Sequence, residues 1–192
     1  MSPGRDVGNE APDVVLDTCC LVNLAAIDGT LECLAVLGLT WYVPTAVETE
    51  GIFIRSAADT KEVRRIDLAP NVAAGVVRIC APADDVEHAL YVELAMSLDD
   101  GEAMGLAIAN NRGWKLATDD RKARNMAAAL GVAIVTTPEL LERWAARADH
   151  SEAETANALR RIESLARFTP PDNSPATEWW RELRSKNKQV ED

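Results

Sequence analysis

Hydrophobic and polar positions along the chain fall into two alternating kinds of block. Short apolar runs rich in β-branched and aromatic residues are each followed by a longer run with helical spacing. "DVVLD" (13–17) predicts a strand, and the almost wholly apolar "TCCLVNLAAI" (18–27) predicts a helix after it. "GTLECLAVLG" (29–38) predicts a second helix closed by glycine, "TWYVP" (40–44) a second strand, and "TAVETEG" (45–51) another helix. Residues 52–70 read as amphipathic and partly helical, ending at Pro70. "GVVRICAP" (75–82) predicts a strand, "DDVEHALYVELAMS" (84–97) a helix, and "DDGEAMGLAIANNRG" (99–113) an alanine-rich helix closed by Gly113. "WKLAT" (114–118), "DDRKARNMAAALG" (119–131), "VAIVTT" (132–137) and "PELLERWAARA" (138–148) continue as strand, helix, strand and helix, the last with proline at its start. This alternation predicts an α/β fold with a central parallel sheet.

The pattern changes at both ends. Residues 1–12 hold Pro, Gly and polar residues without periodicity, which predicts a flexible arm. The α/β domain is expected over 13–148 and a helical extension over 149–192. In that extension Ala156, Leu159, Ile162 and Leu165 mark one helical stripe over 151–168. "TPPDNSP" (169–175) breaks it, and "ATEWWRELRSKNK" (176–188) predicts a last helix with two adjacent tryptophans. Two uses of this tail stay open at this point: packing back on the domain, or contacting a partner or a second copy.

Composition narrows the class. The 192 residues are 47% hydrophobic and 27% charged, which suits one soluble domain with a sizeable core. The chain has no apolar run long enough to cross a bilayer and no apolar signal segment at its start, so a cytoplasmic location without membrane contact is expected. Four cysteines (Cys19, Cys20, Cys33, Cys80) without a C-x-x-C pair, and two histidines (His88, His150), argue against a zinc site and a disulfide framework. The cysteines read as small core residues. The net charge is −11, and residues 1–150, with 13 basic and 23 acidic residues, carry −10 of it. Such a domain is a poor general nucleic-acid binder, because phosphate contacts need Lys and Arg. It suits a carboxylate-rich metal site.

The acids at element ends are the candidate chemistry. Asp17 closes the first strand, and Glu48 and Glu50 follow the second. Asp99, Asp100 and Glu102 open the alanine-rich helix, and Asp119 and Asp120 close the "KLAT" strand. In a parallel sheet these strand ends share one edge, where ligands bind. Each acid also has an ordinary reading as a helix cap or first-turn residue. Two details favour more. Asp17 leads into an apolar stretch, where a lone carboxylate is costly unless paired or metal-bound. Glu102 shares a helix face with Leu106 and Ala109. Clustered carboxylates repel, and oxygen-rich clusters suit Mg²⁺ or Mn²⁺, which promote hydrolysis of phosphate esters.

The order "VVLDT", "VPTAVETEG", "LDDGEAMGLAIA", "LATDDRKAR" over about residues 13–147 resembles the PIN-domain nucleases, in particular the branch with VapC-like toxins of toxin–antitoxin systems. The resemblance implies an α/β/α sandwich and a pocket of acids binding Mg²⁺ or Mn²⁺. It implies a metal-dependent endoribonuclease acting on RNA, with a cognate antitoxin protein as partner and a homodimer as a common assembly. By position it implies catalytic Asp17, Glu50, Glu102 and Asp120, with Asp17, Glu102, Asp119 and Asp120 as metal ligands. Thr18 and Thr118 would orient carboxylates or water, with Asn23 a lesser candidate for that role. Arg121, Lys122 and Arg124 are candidate RNA-phosphate contacts, or else solvated residues offsetting the nearby acids. The N-terminal arm and the long tail depart from the small toxins. A phosphatase with two aspartates two residues apart is disfavoured, since Thr18 and Cys19 follow Asp17. The non-enzymatic alternative is a PIN-like module that binds a partner through its tail and the Trp179–Trp180 pair.

Overall fold

The computed structural model describes residues 12–28, 31–56, 61–147, 150–172, 174 and 176–186. The expected N-terminal arm lies almost wholly outside these residues. Strand β1 (Asp13–Leu16) has Val14, Val15 and Leu16 fully buried, as a central parallel strand covered on both faces requires. It feeds α1 (Thr18–Asp28), in which every residue from Leu24 to Ile27 is buried. Next come α2 (Cys33–Leu37), β2 (Thr40–Pro44) and α3 (Thr45–Glu50), which Gly51 ends at φ +77°.

The segment expected to be partly helical is instead an antiparallel hairpin, β3 (Phe53–Arg55) against β4 (Val63–Arg65), with Phe53 opposite Arg65. Ile54 is buried between exposed Phe53 and half-buried Arg55, a period of two that only three residues display. Only α4 (Ala69–Ala73), with Pro70 in its first turn, is helical nearby.

The second half follows the expected alternation: β5 (Val77–Cys80), α5 (Asp85–Ala95), α6 (Asp100–Arg112), β6 (Lys115–Ala117), α7 (Arg121–Leu130), β7 (Ile134–Val135) and α8 (Thr137–Arg147). The tail holds α9 (Glu152–Arg161), a turn of π-helix over Ile162–Ala166, and α10 (Thr177–Lys186).

Five strands form one parallel sheet in the order β5-β2-β1-β6-β7. Its faces are covered by separate apolar layers. Val14 and Leu16 pack with α1, α8 and α9, whereas Val15 faces the α5, α6 and α7 side. The result is an α/β/α sandwich. The tail packs back: Ala158, Leu159, Ile162, Leu165, Trp180 and Leu183 all join the α1-side core. No described helix is long and apolar enough to cross a membrane.

Candidate functional site

From central β1 the chain crosses to β2 on one side and, later, to β6 on the other. The strand order therefore reverses between β1 and β6, and a crevice opens beyond their C-terminal ends. Leu16 stands opposite Ala117, so Asp17 emerges beside Thr118. The Asp17 N–H donates to the Ala117 carbonyl at 3.1 Å, which carries the ladder one residue past the strand.

Asp17 is 2% exposed. Its Oδ2 accepts the Thr118 hydroxyl at 2.7 Å and the Cys19 thiol at 2.9 Å. Burial raises its pKa and these two donors work against that rise, with the Asp99 charge adding to it. Thr118 is fully buried, and its hydroxyl oxygen also accepts the Asp120 N–H at 3.1 Å. One side chain thus ties the two acidic segments together.

Helix α6 brings the next carboxylates. Asp99 caps it through Oδ1, which accepts the Glu102 N–H at 2.8 Å. Gly101 makes the close approach possible, since a Cβ there would lie 2.8 Å from Val47 Cγ2. Glu102 is half-buried, and its carboxylate has no hydrogen-bond donor among the described residues. Its pKa is pushed up to about 7, first by burial and then by the charges of Asp17, Asp99 and Asp120. Those four carboxylates form one electrostatic group. Asp17, Asp99 and Glu102 line a cleft of about 350 Å³ together with Thr18, Cys19, Asn23, Arg167 and Phe168.

Asp119 and Asp120 part company. Asp120 Oδ1 caps α7 by accepting the Ala123 N–H at 2.8 Å, and its charge is felt at Glu102. Asp119 turns into the protein. Its Oδ1 accepts the Thr137 N–H at 3.0 Å, and its Oδ2 accepts Asn23 Nδ2–H at 3.0 Å and the Thr137 hydroxyl. Asn23 is therefore a partner of Asp119 rather than of Asp17, and it also donates to the Thr137 hydroxyl oxygen at 3.0 Å. The Sγ atoms of Cys19 and Cys20 and an Asp119 oxygen lie within 4.8 Å of one another. Burial pushes the Cys20 thiol well above its usual range, so it stays protonated and donates to Asp119 Oδ2 at 3.4 Å. This trio braces β6 against α1 and α8.

The remaining expected residues lie elsewhere. Glu50, exposed at the end of α3, does not line the cleft. The nearby Tyr91 hydroxyl is raised in pKa by burial, then by Asp100, with Glu50 adding to it. Arg121 and Lys122 are exposed, and Lys122 donates to the Ser97 carbonyl. Arg124 lines a separate hollow with Glu139, Glu142 and Pro171. Two contributors escaped the sequence reading, Cys19 as a donor to Asp17 and Arg167 as a cleft residue, and neither left a signal. Asp99 was already among the candidate acids at the start of α6, and it lines the cleft.

The donor set fits a divalent cation. Asp99 and Asp120 each use one oxygen as a cap, and Glu102 uses neither of its own. Hard oxygen ligands of this kind suit Mg²⁺ or Mn²⁺. A family profile for the PIN domain matches residues 13–168, most of the chain. No curated protein matches it significantly.

Proposed function

Because the chain belongs to the PIN-domain family, we propose that it is a metal-dependent endoribonuclease hydrolysing RNA phosphodiester bonds at the carboxylate cleft. One observation carries this reading: Asp17, Asp99, Asp120 and Glu102 gather at the sheet's reversal point, where burial first and then the charges of the three aspartates push Glu102 up to about 7. Such a group holds uncompensated negative charge until a cation joins it.

Asp17, Glu102 and Asp120 would hold Mg²⁺ or Mn²⁺, with Asp99 beside them. The bound ion would supply a Lewis acid for a phosphoryl oxygen and lower the pKa of a coordinated water. The chain's own groups prepare the place. Thr118 and Cys19 fix the Asp17 carboxylate, the α7 cap fixes Asp120, and Glu102 gives up its carboxyl proton as a cation binds. Asp119 acts as a brace, and Glu50 has no ligand role in this proposal.

The order of motifs supports a finer reading. In it the chain acts in the cytoplasm as the toxin of a type II toxin–antitoxin pair, with a cognate antitoxin protein as partner and a homodimer as its assembly.

Gel-resolved cleavage of RNA by the purified chain tests the nuclease reading. Cleavage is expected with Mg²⁺ or Mn²⁺, and EDTA, Asp17→Asn or Asp120→Asn should each bring it to background. Cleavage indifferent to EDTA and to both substitutions would refute the proposal.

A further inference from the structure

The cleft has a second wall, built by the tail. Ile162 and Leu165 of the π-turn are buried in the α1-side core, and Arg161 Nε–H donates to the Ala26 carbonyl at 2.8 Å. Just beyond Arg167, Phe168 packs edge-on against buried Trp180 at 5.9 Å. The backbone is thus anchored on both sides of Arg167, which adopts φ +58°. A left-handed backbone is easiest for glycine, so turn geometry alone does not call for arginine here.

Ala166, Arg167 and Phe168 line the same 350 Å³ cleft as Asp17, Asp99 and Glu102. Among the described residues lining it, Arg167 is the only Lys or Arg. It is exposed, and it makes no hydrogen bond or ion pair among the described residues. A guanidinium that shares a cleft with three carboxylates, yet pairs with none of them, is free to meet an anion. An RNA strand entering so acidic a site is repelled unless positive charge meets it. The planar fork of arginine matches two phosphate oxygens at once.

We infer that Arg167 is a substrate-binding residue of the proposed nuclease cleft: its guanidinium holds a phosphate of the RNA strand across from the cation-binding carboxylates. The inference rests on the nuclease reading and adds to it, because it makes the C-terminal extension a functional wall of the site.

The test is binding of a labelled single-stranded RNA to the full-length chain, followed by fluorescence anisotropy over a salt series. Ca²⁺ replaces Mg²⁺ to hold off cleavage. Arg167→Ala should weaken binding roughly tenfold or more, the usual scale for losing a hydrogen bond to a charged group. It should also reduce the log–log salt slope by about 0.7, one phosphate contact on a single strand. Arg167→Lys should recover part of the affinity. Arg167→Gly suits the left-handed backbone, so it should match Arg167→Ala in binding while melting no lower than the wild type. Calorimetric Mn²⁺ affinity should not weaken in any of the three. Unchanged RNA affinity and salt slope in both Arg167→Ala and Arg167→Gly would overturn this inference alone, provided the wild type binds and cleaves RNA. A wild type that neither binds nor cleaves RNA would overturn the nuclease reading with it.

Discussion

Asp119 and Asp120 are neighbours with different work, and the difference is set by a helix cap. Asp120 takes the position whose side chain accepts the Ala123 N–H, which leaves it beside Glu102. Asp119, one residue earlier, points to Asn23 and Thr137. Glu102 is the residue most sensitive to this arrangement. Its pKa rises from 4.5 to about 7 on folding, so between those values the folded chain binds the proton more tightly than the unfolded one. Stability of the metal-free protein should therefore fall as pH rises from about 4.5 to about 7, then level off with respect to this group. Denaturant unfolding over that range checks it: Glu102→Gln should flatten the slope and be the more stable protein at pH 7.5. At this scale the sequence showed which element ends carry acids. It did not show that Asp119 faces inward, that Cys19 donates to Asp17, or that Arg167 reaches the cleft. Those facts depend on cap geometry and on contacts between segments far apart in the chain.

At the scale of elements, α6 holds the site from the rear. Its start carries Asp99 and Glu102, and its end is bolted to α5. There Arg112 makes two hydrogen bonds to the Glu87 carboxylate, at 2.7 and 2.8 Å, and donates to the Ala81 carbonyl at 2.7 Å. Glu87 is 3% exposed, and Arg112 holds its pKa below the usual range. That contribution is complete above pH 4.5 and is lost as pH falls through the lowered value. Arg112→Ala strands a buried carboxylate and should cost about 3 kcal/mol of unfolding free energy. Because the bolt lies at the far end of α6, Mn²⁺ affinity should stay near wild type; a large loss of affinity would show that α6 transmits the change. The element order was largely legible, because long helical periods and buried strand runs alternate without ambiguity. The β3–β4 hairpin was not. Three-residue strands show one full alternation at most, and Arg64 and Arg65 dilute the apolar signal that remains.

For the whole molecule, the tail is part of the core. Leu159, Ile162, Leu165, Trp180 and Leu183 pack on the α1 side of the sheet. Each buried side chain of this kind contributes about 2 kcal/mol, and their sum rivals the roughly 5–15 kcal/mol that separates a folded domain from its unfolded chain. Removing residues 151–192 should therefore give an aggregating or unfolded product, seen as loss of the cooperative thermal transition. A truncated chain that stays soluble and melts cooperatively would instead favour a tail kept for a partner. The stripe of Ala156, Leu159, Ile162 and Leu165 was visible in the sequence. Its docking site was not, because an amphipathic helix states only that it has a partner.

The central claim is that carboxylates gathered where the sheet order reverses form a divalent-cation site. Calorimetric titration of the full-length chain with Mn²⁺ tests it most directly. Saturable binding is expected for the wild type and for Cys20→Ala, with binding lost or severely weakened in Asp17→Asn and Glu102→Gln. Binding that survives both acid substitutions, or that disappears with Cys20→Ala, would contradict it.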